Sequence, residues 1–253
     1  MAFSGGVDST ILAFMAHAAL GNRALAVTAA SPTYPAHQLD EAKMLASRLK
    51  LNHLVIHTDE FNCDEFLSNP PERCYYCKLE LIKELRKLAD EQGHGVVLEG
   101  SNMDDKYDFR PGHRAIQEMG VKSPLQEVGL TKTEIRHLSK KLRLPTWNKP
   151  AYACLASRIP YGQRITLEAL RRIDQAEEFL HSLGFSQVRV RDHYPLARIE
   201  VTESELKKAW KSRKNISTRL HEIGFPYVTI DLDGFRSGSM NEVLKIQSTV
   251  DSQ

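Results

Sequence analysis

The sequence predicts an α/β fold with a parallel sheet, followed by a smaller α+β domain. Three observations lead to this prediction. Short apolar segments alternate with helical patterns through the first half of the chain, a glycine-rich turn joins the first such pair, and residues 187–191 and 197–201 alternate with a period of two. Strands that alternate with helices are typical of a parallel sheet covered by helices on both faces. Period-two strands joined by a short loop favour an antiparallel pair.

Short apolar runs predict strands in the first part of the chain at residues 2–3, 24–27, 53–57 and 95–99. Apolar residues at helical spacing predict helices at residues 11–20, 39–49, 74–92 and 131–142. The last helix opens with Thr131-x-x-Glu134, the pattern of a capping box in which each side chain accepts the other residue's backbone N–H. Residues 58–73 are predicted as a long polar loop.

The second part of the chain follows a proline-bounded stretch at residues 144–150. Its pattern predicts a helix at 167–183, paired strands at 187–191 and 197–201, one helix at 203–223 and a last strand at 227–232. We therefore expect a nucleotide-binding domain in residues 1–145, a connector in residues 146–163, and a domain for substrate binding or oligomerisation in residues 164–253.

The composition is that of an ordinary globular protein. At 253 residues the chain is long enough for one large or two modest domains, and no apolar run approaches the ~20 residues that cross a bilayer. The net charge of +2 gives no global sign of nucleic-acid binding. Four cysteines without a secretory leader indicate thiols or metal ligands, so we expect a cytoplasmic protein that does not associate with membranes.

The stretch Ser4-Gly5-Gly6-Val7-Asp8-Ser9-Thr10 has the chemistry of a phosphate socket. Gly5 and Gly6 let the backbone turn sharply and approach a ligand closely, and a helix N-terminus offers unpaired N–H groups and a positive dipole end. Ser4, Ser9 and Thr10 add hydroxyl donors. A carboxylate at Asp8 suits phosphate binding if Mg²⁺ bridges the two. The alternative is an ordinary glycine-rich turn in which Asp8 and Ser9 cap the helix.

In a parallel sheet, ligands bind beyond the carboxyl ends of the strands. That edge is predicted to hold the following additional nucleotide-contacting residues: Thr28, Ser31, Gly100, Asn102, Asp105 and Arg110. The neighbouring carboxylates Asp104 and Asp105 are candidates for Mg²⁺ binding. The alternative for residues 100–105 is a solvated turn whose side chains bond their own backbone.

The cysteines form a second group of candidates. Cys74 and Cys77 are one turn apart at the start of a predicted helix, where the dipole favours thiolate, and this spacing serves zinc, iron–sulfur clusters or redox exchange equally well. Cys154 lies in the predicted connector with Arg158 nearby to favour its thiolate; its alternative is a small buried apolar residue. Cys63, in the polar loop, is not expected to have a function.

Arginines on a predicted strand form a third group. Arg189 and Arg191 are two residues apart, hence on one face, and their guanidinium forks suit a substrate phosphate. Glu200 and Arg236 are predicted to complete that site. The alternative is an exposed sheet face whose charges serve solubility.

Two segments resemble known families. SGGVDST resembles, residue for residue, the pyrophosphate loop of the ATP-pyrophosphatase (PP-loop) enzymes, which cleave ATP between the α and β phosphates. PAYACLASRIPYG, at residues 150–162, resembles the signature around the sulfur-donating cysteine of the LarE family of ATP-dependent sulfur transferases. The likeness continues through residues 112–115, 187–191, 197–201 and 231–242, so it covers essentially the whole chain.

The resemblance implies a specific reaction. ATP would adenylate a carboxylate of pyridinium-3,5-dicarboxylate mononucleotide, and sulfur would then be inserted, for biosynthesis of the nickel-pincer cofactor of lactate racemase. Asp8, Cys154, Arg189, Arg191, Glu200 and Arg236 would carry the catalysis. Cys154 would give up its sulfur and become dehydroalanine, once per protein.

The chain also resembles a LarE variant with an added CxxC. There Cys74, Cys77 and Cys154 would hold a [4Fe-4S] cluster with one iron open for an extra sulfide. We favour this route because Cys74 and Cys77 have no part in the sacrificial one. The implied partners are the nucleotide substrate, further copies of the chain, and proteins of nickel insertion and lactate racemase maturation.

Three other functions compete with this prediction. The first is tRNA thiolation on the same ATP loop, against which the low net charge and the lack of a basic tail argue. The second is a non-catalytic nucleotide-binding protein with structural zinc at the cysteines. The third is amide ligation with ammonia, in which the cysteines would be idle.

Overall fold

The computed structural model describes residues 1–107, 111–150, 153–236, 238–242 and 244. The chain divides into two compact units, Met1–Ala153 and Cys154–Gln253. Within the described residues, no helix is both long and apolar enough to cross a membrane.

The first unit contains a parallel sheet. Strand β1 (Leu25–Ala30) pairs in parallel with β2 (Asn52–His57) along its whole length. On the other side of β1, Ala2 forms a parallel bridge with Val27, and the Ala2 N–H donates to the carbonyl of Leu98 at 2.9 Å. The parallel sheet is therefore confirmed.

Two of the predicted strands form fewer ladder pairs than the sequence predicts. Residues 2–3 and 95–99 contribute single bridges, and Leu98 pairs in parallel with Lys122 at the far edge. The hydrogen bonds Lys122 N–H to Val97 O, 3.0 Å, and Glu99 N–H to Lys122 O, 2.9 Å, continue the ladder there.

The helices of the first unit are α1 (Val7–Leu20), α2 (Ala36–Arg48), α3 (Asp64–Leu67), α4 (Arg73–Glu91), α5 (Gly112–Glu118), α6 (Pro124–Glu127) and α7 (Lys132–Lys141). The predicted polar loop at 58–73 thus contains the short helix α3 as well as a 3₁₀ turn at Glu60–Asn62.

Apolar residues on both faces of β1 explain why helices cover both sides of the sheet. Ala26 packs in a cluster with Ala13 of α1 and Ala42 of α2, whereas Leu25 packs in a separate cluster with Ile82 of α4. Successive strand residues point to opposite faces, so one apolar run serves two helical layers. This leaves the carboxyl ends of the strands as the open edge of the unit.

The second unit is an α+β unit built on a three-stranded sheet. Its helices are α8 (Leu167–Ser182), α9 (Leu206–Lys211) and α10 (Arg213–Ile223), and its strands are β3 (Val188–His193), β4 (Leu196–Val201) and β5 (Tyr227–Ile230). The sheet order is β3-β4-β5, with β3 and β4 antiparallel and β4 and β5 parallel. The predicted antiparallel pair is confirmed.

The single helix predicted for residues 203–223 is wrong. A 3₁₀ turn at Glu203–Glu205 comes first, and Ser212, with φ −87° and ψ 2°, separates α9 from α10. The Ser212 N–H still bonds the Lys208 carbonyl at 3.0 Å while its own carbonyl accepts from Ile216 at 3.0 Å. Serine favours helix ends over helix interiors, so the apolar spacing continues across a break that it does not reveal.

Candidate functional site

The glycine-rich loop forms an uncapped helix N-terminus at the open edge of the first unit. Helix α1 begins after Gly6, and no side chain caps it. Gly5 has φ +68°, and a Cβ there would lie 3.3 Å from the Cα of Ala42 on α2, so glycine is needed at this position. The Ser4 and Ser9 hydroxyls lie 3.1 Å apart and close the turn. Such an N-terminus is a ready anion site.

Only one of the two carboxylate oxygens of Asp8 has a hydrogen-bond partner among the described residues. Its Oδ2 accepts from the ammonium of Lys132, whereas its Oδ1 is buried and has no hydrogen-bond partner among the described residues. An unpaired buried carboxylate oxygen is costly, and a divalent cation bound there would remove that cost. The residues present therefore fit Mg²⁺.

Lys132 is a site residue that the sequence analysis missed. It lies in the first turn of α7, where the predicted capping box is confirmed: Thr131 Oγ1 accepts from Glu134 N–H at 3.3 Å, and Glu134 accepts from Thr131 N–H at 2.9 Å. The capping pattern explains where α7 begins. It carries no signal that the next residue reaches Asp8, 124 positions earlier.

A second lysine, also missed, contacts the loop. The Lys149 ammonium donates to the Gly5 carbonyl at 3.2 Å and to Glu41 of α2 at 2.8 Å. The guanidinium of Arg136, on α7, holds the carbonyls of Trp147 and Lys149, each at 2.9 Å. A residue near the end of the first unit, Lys149, therefore holds the backbone of the glycine-rich loop.

The segment after the fourth predicted strand packs directly on the loop. A Cβ on Gly100 would lie 3.1 Å from the Ser9 nitrogen, so a side chain here would press on the backbone of the glycine-rich loop. Beyond it, Asn102 N–H donates to Asp105 at 2.9 Å, and Asp104 accepts from the backbone N–H of Lys132 at 2.9 Å. The side chains of Asn102, Asp104 and Asp105 therefore bond the backbone of their own turn and of α7, but Asn102 and Asp105 are buried, so the turn is not the solvated one of the alternative above. Arg110 lies outside the described residues.

Thr28 and Ser31 lie at and just after the carboxyl end of β1, as predicted. The Thr28 hydroxyl is used internally: it donates to the Phe3 carbonyl at 2.7 Å and lies 2.8 Å from His53 Nε2. Burial, with the positive charge of Lys43, lowers the pKa of His53. The Ser31 hydroxyl is 2.8 Å from the Thr33 hydroxyl and donates to the carboxylate of Glu60.

Cys74 and Cys77 occupy the first turns of α4, as predicted. Cys74 is exposed and Cys77 half-buried. A Cβ on Gly112 would lie 3.3 Å from the Cys74 carbonyl, and Lys78 lies 3.7 Å from Glu99, the residue before Gly100. The start of α4 therefore contacts the same segment, at residues 99–100, that packs on the glycine-rich loop at residues 4–10.

No group of three or more His, Cys, Asp or Glu side chains within the described residues is placed to hold a metal ion. All four cysteines are described, and none forms a disulfide. Cys74 and Cys77 belong to the first unit, and Cys154 opens the second.

In the second unit, the backbone of Cys154 is fixed by a buried ion pair. Arg158 donates to the Cys154 carbonyl at 2.9 Å and makes a two-pronged contact with Glu177, both bonds 2.9 Å. Arg158 is 1% exposed and Glu177 5%. Burial opposes ionisation of Glu177, but the Arg158 charge and the hydrogen bonds outweigh it and lower the pKa of this carboxyl. Glu177 also accepts from the Val190 N–H at 2.9 Å, which ties the pair to β3.

The predicted arginine pair lies on the same face of β3 and is buried rather than exposed. Arg191 forks onto Glu200 with bonds of 3.0 and 2.6 Å. Arg189 donates to the Val188 carbonyl at 2.7 Å and stacks 5.3 Å from the Phe235 ring centroid. Among the described residues it has no carboxylate hydrogen-bond partner. The exposed-face alternative therefore does not describe these residues.

Arg158, Arg189 and Arg191 set three guanidinium groups against the two carboxylates Glu177 and Glu200. Burial, together with the charge of Arg158, lowers the pKa of Arg189 to about 10. Burial disfavours the charged form of Arg189, and the nearby carboxylates of Glu177 and Glu200 offset this only in part. This cluster is therefore suited to accept an anion.

Arg236, which was predicted to join this site, pairs with other carboxylates. Its guanidinium lies 3.2 Å from both Asp233 and Glu242, and 3.9 Å from Asp231. These contacts hold the segment after β5.

Comparisons with known proteins bear on this arrangement. The family described as NAD synthase matches residues 1–65, the part that holds the ATP loop. A protein of Synechocystis sp., uncharacterized, is 43% identical over 96% of this chain and 92% of its own length. The tRNA 2-thiolation protein NcsA of Haloferax volcanii is 31% identical, but over only 41% of this chain and 36% of its own length.

A relative with a named activity also matches along both units. The pyridinium-3,5-bisthiocarboxylic acid mononucleotide synthase of Lactiplantibacillus plantarum is 39% identical over 96% of this chain and 89% of its own length. Identity at this level over both units cannot come from the ATP loop alone. The chain therefore belongs to the LarE family of ATP-dependent sulfur transferases, which carry a PP-loop domain.

Proposed function

We propose that this protein adenylates a carboxylate of pyridinium-3,5-dicarboxylate mononucleotide with ATP and then inserts sulfur there, for nickel-pincer cofactor biosynthesis. The name of the Lactiplantibacillus plantarum relative supports this substrate class. The observation that carries the proposal lies in the second unit. Glu177 links Arg158, which holds Cys154, to the strand of Arg189 and Arg191, so a sulfur nucleophile and an anion site share one buried network.

The first step uses the first unit. The uncapped N–H groups of α1 and the hydroxyls of Ser4, Ser9 and Thr10 would bind the phosphates of ATP. Asp8 would hold Mg²⁺, which neutralises phosphate charge when bound. A carboxylate oxygen of the acceptor attacks the α-phosphorus, the bond to the bridging oxygen breaks, and pyrophosphate leaves with the electron pair. Thr28, Ser31, Gly100, Asn102, Asp105 and Arg110 remain proposals for nucleotide contact.

The second unit would hold the acceptor. Arg189 and Arg191 are proposed to bind its phosphate, because a bidentate guanidinium–phosphate contact would supply the counter-charge that Arg189 lacks. Glu200 orients Arg191. Arg236 is proposed to contribute through the segment that it holds after β5.

Two sulfur routes share Cys154. In one, its thiolate attacks the acyl carbon, AMP leaves, and later cleavage of the Cys154 Cβ–Sγ bond leaves sulfur on the product. In the other, Cys74, Cys77 and Cys154 would hold a [4Fe-4S] cluster that supplies an additional sulfide. The CxxC at the start of α4, next to the strand end on the ATP loop, favours the cluster, since it has no part in the first route.

Three further properties complete the proposal. Thiols without disulfides favour the cytoplasm. We also propose a homo-oligomer, together with nickel-inserting and lactate racemase maturation partners. Light scattering of the purified protein tests the first of these associations.

The decisive experiment is anaerobic purification, followed by incubation with ATP, Mg²⁺ and the acceptor. We expect AMP, pyrophosphate and a thiocarboxylate product in acceptor-dependent amounts. Release of ADP would contradict the reaction. Iron and sulfide in the purified protein, with intact Cys154 after several turnovers, would support the cluster; one product per protein with dehydroalanine at 154 would support the sacrificial route, and zinc alone would contradict both the cluster and its sulfide.

The tRNA-thiolation alternative is tested in the same preparation by offering unmodified tRNA in place of the mononucleotide. The match to the tRNA 2-thiolation protein covers 41% of this chain, whereas the match to the mononucleotide synthase covers 96%. We expect no AMP formation with tRNA.

A further inference from the structure

A buried carboxylate joins the carboxyl ends of the neighbouring strands β1 and β2. Ser31 directly follows β1, and Glu60 begins the 3₁₀ turn after β2. The Ser31 hydroxyl donates to Glu60 Oε1, and the Thr33 hydroxyl donates to the same oxygen at 3.3 Å. Thr33 and Glu60 are 1% and 2% exposed, whereas Ser31 is half-buried. Ser31 is therefore the member of this group that a ligand can contact.

The charge of Glu60 is not compensated within the part of the chain that the structure describes. Its Oε2 is buried without a hydrogen-bond partner there, and no cationic side chain there pairs with it. Glu99, a buried carboxylate at the end of another predicted strand, shows the compensated case. Its two oxygens accept from the hydroxyl and the N–H of Ser101 at 2.9 and 3.0 Å, and the Lys78 ammonium lies 3.7 Å away. Because a buried carboxylate without a counter-charge depends on the hydroxyls around it, Glu60 holds the hydrogen of Ser31 firmly.

This contact fixes which way round Ser31 can bond a ligand. A hydroxyl has one hydrogen to donate and two lone pairs that accept. The hydrogen of Ser31 goes to Glu60, and its oxygen accepts the Thr33 N–H at 3.0 Å. Ser31 can therefore offer a ligand a lone pair but no hydrogen. This is the opposite of the start of α1, whose free N–H groups donate.

The sheet places Ser31 near the glycine-rich loop but on the next strand. Phe3, just before the loop, donates its N–H to the Val27 carbonyl at 2.8 Å and accepts from the Thr28 hydroxyl at 2.7 Å. Ser31 lies beyond Thr28 at the carboxyl edge, where ligands of parallel sheets bind. The phosphates of ATP carry acceptor oxygens and fit the donors of the loop. The hydrogen-bond donors of ATP lie in its nucleoside part, as the amino group of the base and the hydroxyls of the ribose.

We propose that Ser31, held by Glu60, accepts a hydrogen bond from the nucleoside part of ATP and does not bind a phosphate. The donor is the base amino group or a ribose hydroxyl, since both have the chemistry that Ser31 can accept. Ser31 is then a binding residue, and Glu60 is a positioning residue that acts through it. The inference rests on the proposed function, because it takes ATP to be the nucleotide.

Isothermal titration with Mg²⁺ and without acceptor tests the proposal by comparing ATP with analogues that each lack one donor. Purine riboside triphosphate lacks the amino group, and 2′-deoxy-ATP and 3′-deoxy-ATP each lack one hydroxyl. We expect one analogue to bind wild-type protein about 2- to 12-fold more weakly than ATP, the effect of one hydrogen bond, and that analogue identifies the donor. In Ser31→Ala this preference for ATP should disappear. No preference in the wild type, or the same preference in Ser31→Ala, would overturn the proposal.

Ser9→Ala is the matched control, since Ser9 is a serine of the glycine-rich loop. It should weaken ATP and the analogue alike and keep the preference between them. Loss of the preference in this variant too would contradict a specific role of Ser31.

Glu60→Met tests the positioning role separately. Methionine has a similar length but accepts no hydrogen from Ser31 as strongly as a carboxylate does, so Ser31 becomes free to donate and the preference for ATP should fall. An unchanged preference would overturn the role of Glu60. AMP formation with the acceptor distinguishes this inference from the proposed function. If the preference depends on Ser31 but no AMP forms, the proposed function fails and the inference stands; if AMP forms and the preference does not depend on Ser31, the reverse holds.

Discussion

Replacing Lys132 by Met tests the charge balance at the ATP loop. The Lys132 ammonium contacts Asp8 Oδ2, and the side chains are 32% and 21% exposed. An ion pair this accessible is worth ~0.2–1 kcal/mol. Two opposite effects follow, because the ammonium neutralises the carboxylate that a cation needs, yet would stabilise the phosphates once ATP is bound.

Without nucleotide, Lys132→Met should therefore bind Mn²⁺ more tightly, by about 1.4- to 5-fold for ~0.2–1 kcal/mol. With ATP and acceptor, AMP formation should fall about 10²- to 10³-fold, as for other groups that meet developing charge. Electron paramagnetic resonance of free Mn²⁺ measures the first effect and quenched-flow detection of AMP the second.

Lys140→Met is the matched control for this variant. Lys140 lies on the same helix, with its ammonium 4.7 Å from the Trp147 ring centroid, and its replacement should change neither quantity. Unchanged AMP formation in Lys132→Met, together with unchanged or weaker Mn²⁺ binding, would refute the reasoning.

Three further variants test other contacts of the site. Gly100→Ala should weaken ATP binding, because its Cβ would lie 3.1 Å from the Ser9 nitrogen and the start of α1 would have to shift; isothermal titration with a non-hydrolysable ATP analogue checks this, and wild-type affinity would contradict it. Arg189→Lys should weaken acceptor binding about 10- to 100-fold while leaving ATP binding unchanged, because the bidentate fork is lost; equal affinities would mean that the surplus charge is not the acceptor site. Glu177→Gln should lower the free energy of unfolding by ~3–5 kcal/mol, because the buried Arg158 loses the carboxylate charge of its two-pronged contact. Since the pKa of Glu177 is lowered in the folded state, its contribution is present above its ordinary value of 4.5 and is lost as pH falls through the folded-state pKa; urea denaturation should therefore show the wild-type and Gln proteins converging in acid.

The sequence could predict those parts of the fold that local spacing determines. Period-two alternation predicted β3 and β4, and the Thr131-x-x-Glu134 pattern placed the start of α7. In both cases the residues that decide the structure lie within a few positions of each other. The break at Ser212 escaped because apolar spacing can continue in phase across two helices that meet end to end.

Candidate site residues could be predicted only where they lie within a local sequence pattern. The loop at residues 4–10 and the arginines of β3 became candidates in this way. Lys132 and Lys149 were not, since they reach Asp8 and Gly5 across 124 and 144 positions, and only the folded sheet brings those ends together. Sequence periodicity also could not decide whether the strand face of Arg189 is exposed or buried. Alternating charges on a strand predict an exposed face unless the carboxylates that pair with them on other elements are known.

The two units share a physical logic that connects these residues to function. Buried charges are normally paired, because an unpaired one costs free energy. Two residues of the proposed sites depart from this rule: Asp8 keeps a buried oxygen without a partner among the described residues, and Arg189 stays buried with its pKa lowered to about 10. Natural proteins leave a buried charge unpaired mainly at functional sites, where a bound ligand supplies the counter-charge. A cation at Asp8 and a phosphate at Arg189 would each supply the missing counter-charge. Mg²⁺ bound with ATP would bring the cation, and a mononucleotide would bring the phosphate.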